Sequence, residues 1–179
     1  LSLITFYVQQ RDGAVDVDEK HSAQVNVDIH FRNAKRVLNS RLKEAAEKRK
    51  DDSNLRIREG KLYQAVAKYA EAEKAYLKAL EVLRNSGKSL ELQGIYAGLG
   101  NCYVQQDEYK KGAGYLEQAL QENPDDLFIR SRLAETYRRM NDFTRAERKY
   151  DEVFNVSISH VESYLGRGEL YKTLGDNGE

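Results

Sequence analysis

The sequence predicts an all-α chain of antiparallel helix pairs stacked as an α-solenoid, with a capping helix ahead of the array. Three observations carry that expectation. One proline, Pro124, stands among 179 residues, so helices run on without their usual breaker. Twelve tyrosines and no tryptophan are present. Small residues recur in step with those rings: Gly60 and Tyr63, Gly100 and Tyr103, Ala134 and Tyr137, and Gly168 and Tyr171 form four small-x-x-Tyr pairs whose rings lie 40, 34 and 34 residues apart. Three further ladders keep the same interval: Tyr69, Tyr109 and Phe143; Tyr76, Leu116 and Tyr150; Ala79, Ala119 and Val153. A shared fixed period is the mark of a repeat architecture.

Composition narrows the function classes. Charged residues make up 32% and hydrophobic ones 40%, as in a globular chain. Lysine plus arginine (29) equals aspartate plus glutamate (29), so no net field draws the chain to nucleic acid or an anionic membrane. The single cysteine, Cys102, forms no intrachain disulfide, which fits a cytoplasmic setting and is compatible with a periplasmic one. No apolar run is long enough to span a membrane. The opening Leu1-Ser2-Leu3-Ile4-Thr5-Phe6-Tyr7-Val8 lacks a methionine, and a membrane anchor or signal segment ahead of Leu1 is one reading of it.

Residues 1–31 are expected to be partly extended or stalk-like. Val25, Val27, Ile29 and Phe31 alternate with polar residues as in a strand. A helix from about Glu19 is the preferred alternative, because a strand needs a partner and the repeats offer none. Residues 32–50 predict an amphipathic capping helix, with Ala34, Val37, Leu38, Leu42, Ala45 and Ala46 on one stripe. Its other face is basic: Arg32, Lys35, Arg36, Arg41, Lys43, Lys48, Arg49 and Lys50. The array then fills 53–175, as units 53–88, 93–126 and 127–160 and the first helix of a fourth, 161–175. Within each unit the small residue lets two helices approach, and the ring three positions on fills the next layer. Asp107 or Asp142 is placed to cap the second helix.

The fullest unit runs Tyr96-x-x-Leu99-Gly100-x-x-Tyr103, then Tyr109, Leu116, Ala119-Leu120 and Pro124. It resembles the tetratricopeptide repeat (TPR), with departures at Gly112, where that pattern prefers alanine, and Ile158, where it prefers proline. The resemblance covers roughly residues 53 to 175, and the incomplete fourth unit is read as continuing beyond Glu179. It implies a superhelix whose concave wall, lined by the first helix of every unit, holds a partner protein. The positions implied for that wall are Ile57, Arg58, Lys61 and Gln64; Ala97, Gly98, Asn101, Val104 and Gln105; Phe128, Ser131, Arg132, Glu135, Arg138 and Arg139; and Leu165 and Glu169. Family members that grip the acidic tails of heat-shock chaperones use a clamp of lysines, asparagines and arginine. Asn101 and Arg132 match two of its places, whereas Ala97 and Phe128 stand where lysines belong, so the clamp is incomplete. Arg132, Arg138 and Arg139 are expected to make the third unit cationic, and Gly94, Ala97 and Gly98 to clear space on the second.

Catalytic chemistry is not expected. Gly94 to Gly100 belongs to a helical pattern rather than a phosphate loop. His21, His30 and His160 are scattered without metal-ligand spacing, so no metal or cofactor is implied. Cys102 has no histidine near it to serve as base and reads as a small packing residue. The function expected is a non-catalytic scaffold that binds a helical or extended segment with acidic and apolar residues. A membrane-anchored assembly factor, or an accessory array of a larger enzyme, are the alternatives that the sequence leaves open.

Overall fold

The computed structural model describes residues 2–14, 16–47, 52–83, 89–157 and 161–176. Among these the only regular elements are helices: α1 (Ser2–Gly13), α2 (Val17–Glu47), α3 (Ser53–Gln64), α4 (Tyr69–Leu83), α5 (Ser89–Gln105), α6 (Tyr109–Glu122), α7 (Leu127–Arg139), α8 (Phe143–Phe154) and α9 (Val161–Asp176). The fold class is the expected all-α one. The chain divides into two compact units, Leu1–Glu91 and Leu92–Glu179.

The first unit holds α1 to α4. Residues expected to be partly extended are helical, and α2 starts at Val17 rather than at residue 32. The valine alternation misleads for a physical reason. Ala23 and Val27 are buried and Phe31 partly so, and these lie four apart; Leu38, Leu42 and Ala45 continue that face at intervals of three and four. Val25 and Ile29 point to solvent, as does Val37 of the expected stripe. Lys48–Lys50 of the basic face lie outside the described residues. Of the remainder, Lys35 is paired with Glu59 and sits 4.2 Å from the ring centre of Tyr63.

The second unit holds α5 to α9, except for the first residues of α5. Gly100 lies against Leu116, while Val104 lies against Gly112. One partner advances four residues as the other retreats four, which only an antiparallel crossing produces. The core joins Val104, Leu116, Ile129, Leu133, Tyr137, Tyr150 and Leu170.

The ladders recur as structure. Tyr69, Tyr109 and Phe143 are the first residues of α4, α6 and α8. Tyr76, Leu116 and Tyr150 are each 1% exposed, and Ala79, Ala119 and Val153 are fully buried. A further ladder was not legible. Ala67, Asp107 and Asn141 take positive φ of 57°, 61° and 58°, and the next residue in each case donates its amide to the carbonyl of Tyr63, Tyr103 or Tyr137. Each is the left-handed residue that closes a helix by a Schellman motif. Asp107 is therefore spent on the turn: Glu108 precedes α6 without a side-chain cap, and of the two expected caps only Asp142 accepts from the amide of Arg145, at 3.1 Å.

Two expectations about the fourth pair need correction. A side chain at Gly168 would meet open space, whereas Gly166 is pressed against the ring of Tyr150. Tyr171 is 46% exposed, its hydroxyl donating to Glu147 at 2.7 Å. In the first two units the small residue faces a side chain sixteen positions on, Gly60 with Tyr76 and Gly100 with Leu116. Ile158 lies outside the described residues.

Candidate functional site

The site grows from the start of α7. Asp126 accepts from the amide of Ile129 at 3.0 Å, capping the helix, and its other oxygen accepts from Gln93 of α5 at 2.7 Å. One carboxylate thus starts α7 and ties it to α5. That tie sets Phe128 and Arg132, four residues apart on α7, opposite Ala97 and Asn101, four apart on α5. The four line one small cleft of about 140 Å³ together with Leu116 and Ile129. A second link holds α9 to α7: the hydroxyl of Ser163 donates to that of Ser131 at 3.0 Å, both buried. Arg132, Glu135, Arg138, Leu165 and Glu169 then line a second cleft of about 350 Å³ with Ser131, Tyr150 and Gly166. Arg132 borders both.

Three features of the smaller cleft bear on ligand chemistry. The Asn101 side-chain oxygen is buried and accepts no hydrogen bond from the described residues. Arg132 is exposed and its guanidinium makes no ion pair among the described residues. The Phe128 ring is 68% exposed, an unusual placing for so large an apolar group.

The expected cationic patch of α7 is weaker than its residue types suggest. Arg138 grips Glu135 through two nitrogens at 2.8 and 2.9 Å, and Arg139 reaches the same carboxylate at 2.9 Å. Burial acts to raise the Glu135 carboxyl, but the two guanidiniums outweigh it and hold it below its ordinary value. The Tyr150 hydroxyl, which donates to Glu135 at 3.2 Å, is pushed well up by burial and by that negative charge. Among the described residues, Arg132 alone of the three arginines makes no ion pair.

Other wall positions are placed differently. Ile57, Val104 and Ser131 are buried. Gln64 accepts from the Tyr76 hydroxyl at 2.6 Å, and Arg58 faces a groove lined by α1, α2 and α3. Lys61 and Gln105 are exposed. Residue types alone did not reveal Gln93, Asp126, Ser131 and Ser163 as the positioning set. The one available signal was Asp126 just ahead of a helical period, a capping position.

Among the described residues no group of three potential ligands is arranged to hold a metal ion, and no helix is long and apolar enough to cross a membrane.

The helix-pair geometry defines a repeat fold, and comparison with known proteins names it. Models of the tetratricopeptide repeat match residues 54–84 and 103–153. The chain is a tetratricopeptide repeat protein. Over 85 residues it is 29% identical to the transcription factor tau 131 kDa subunit of Saccharomyces cerevisiae, a match covering 48% of this chain and 8% of that one. The chain thus spans under a tenth of that relative's length. Among solved structures, BtubC from P. vanneervenii superposes with a TM-score of 0.73 at 17% identity, covering 98% of this chain and 84% of that one. The first TPR of Spaghetti (RPAP3), bound to the HSP90 peptide SRMEEVD, gives a TM-score of 0.61 at 14% identity over 69% of this chain and 94% of that one.

Proposed function

We propose that the chain is a non-catalytic protein-interaction scaffold that holds an extended partner segment along α5, α7 and α9. The observation that carries this reading is the buried side-chain oxygen of Asn101, a residue lining the small cleft, which has no hydrogen-bond partner among the described residues. An acceptor left unmade in a buried place costs about 1–3 kcal/mol, which a ligand's backbone N–H recovers on binding. Asn101 also has an amide group to donate to a peptide carbonyl, so it reads backbone rather than sequence. Arg132, four residues along the facing helix from Phe128, supplies a fork for a carboxylate, and Phe128 a surface for an apolar side chain. A segment with acidic and apolar residues satisfies all three.

The RPAP3 repeat bound to its acidic HSP90 peptide supports a peptide ligand, although the clamp lysines of chaperone-tail receptors are here replaced by Ala97 and Phe128. Screening an array of acidic-apolar peptides against the native chain tests the reading. The strongest ligand is expected to lose at least about tenfold in affinity with Asn101→Ala and Arg132→Ala combined, with helicity unchanged and melting not lowered. SRMEEVD itself is expected to bind more weakly than that ligand. Undiminished binding by the double variant contradicts the assignment.

A further inference from the structure

The first unit carries a second opening, independent of the cleft above. At 1.5 Å per residue, α1 (12 residues) is about 18 Å long and α2 (31 residues) about 46 Å, so α1 covers less than half of its neighbour. Beside the first turn of α1 lies a groove of about 570 Å³, walled by α2 and α3. Its lining is mostly apolar: Val37 and Leu38 from α2, Leu55 and Leu62 from α3, and Leu3 from α1, with His30 and Asn33 of α2 as polar members. Val37 is 53% and Leu3 54% exposed. Arg41 of α2 and Arg58 of α3 line it as well, and neither makes an ion pair among the described residues. Among the described residues no carboxylate lines it, in a chain whose charges balance overall. Glu59, the neighbour of Arg58, is already taken by Lys35 and Arg56.

We propose that this groove receives an amphipathic helix of a partner protein, apolar along one face and flanked by carboxylates. A helix fits because the walls advance in steps of three and four, the spacing into which a third helix interdigitates. Ile4 of α1 already packs so at the groove's end, 2% exposed beside Leu38 and Leu62. Apolar side chains outnumber the polar ones on the lining, of which His30 and Asn33 stand beside the two arginines, and this suits a segment whose backbone is satisfied internally. Arg41 and Arg58 supply the charge complement, one from each wall.

A phage-displayed library of single helices of about 18 residues, five turns, panned on the full chain, tests this. Selected helices are expected to carry an apolar stripe at i, i+3, i+4 and i+7 bordered by aspartate or glutamate. Their affinity should fall at least about tenfold with Val37→Asp and likewise with Arg41→Glu plus Arg58→Glu. The charge-reversed chain should regain affinity for helices whose acids are replaced by lysine, and circular dichroism should match the parent. Combined Asn101→Ala and Arg132→Ala should leave this binding unchanged, which separates it from the peptide cleft. Selection without acidic enrichment, or binding indifferent to these changes, overturns the proposal. So does Arg41 and Arg58 dependence seen only with phosphatidylserine vesicles, or a dimer in sedimentation that Val37→Asp dissolves.

Discussion

A Cβ built on Gly112 lies 2.6 Å from the Val104 side chain and 3.1 Å from two backbone atoms, the Gly100 carbonyl and the Val104 amide. The backbone atoms cannot move aside without parting α5 from α6. The departure from the family's alanine at this position is thus a consequence of two glycines crossing, Gly100 on one helix and Gly112 on the other. Gly112→Ala, a change toward the family pattern, is expected to destabilise by about 1–3 kcal/mol, read as a lowered denaturant midpoint with unchanged slope. The opposite holds at Ala67. It is exposed and held at φ 57°, where Asp107 and Asn141 serve in the other turns. Asparagine and aspartate tolerate that conformation, and alanine does so only with strain. Ala67→Gly should therefore raise stability, by up to about 1 kcal/mol, measured as an increase in Tm.

At the scale of elements, α7 is the part on which the site depends. Asp126 starts it and anchors it to Gln93, so Asp126→Ala should cost about 1–2 kcal/mol and weaken peptide capture together. Asp126→Asn keeps the one acceptor that caps α7 and loses the other, so it should restore the cap's share of the stability and less of the capture. Further along, Glu135 holds Arg138 and Arg139. Its carboxyl titrates below its unfolded value of 4.5, so the pair contributes stability above that pH, and the contribution fades as pH falls through the lower folded value. Replacing Glu135 with glutamine should flatten the fall in Tm below about pH 4.5; an acid limb as steep as the parent's contradicts this. Guanidinium side chains with partners were not separable from free ones by residue type. In the sequence Arg132, Arg138 and Arg139 look alike: Arg132 lies three residues before Glu135 and the other two three and four after it, so spacing alone did not tell which would be neutralised.

For the whole molecule, much of the architecture was legible because close helix crossings demand small residues, and the rings that fill the next layer must follow at a fixed offset. Tyr76, Leu116 and Tyr150 are buried alike for that reason. Legibility failed where helical and strand periods coincide. On α2 a period-two run of valines hid the four-residue step from Ala23 to Val27 to Phe31. It also failed at the fourth pair, where Gly168 and Tyr171 match the pattern but Gly166 makes the close approach to Tyr150. The candidate cleft was legible as residue types on α5 and α7. Its defining feature, the unpaired oxygen of Asn101, depends on neighbours that no spacing rule supplies. Amide chemical-shift mapping with the strongest peptide ligand tests the central reading most directly. Perturbations are expected to concentrate on Ala97 to Asn101 and Phe128 to Arg132, with the Asn101 side-chain amide among the largest. A saturating peptide that leaves those two stretches unshifted contradicts the account.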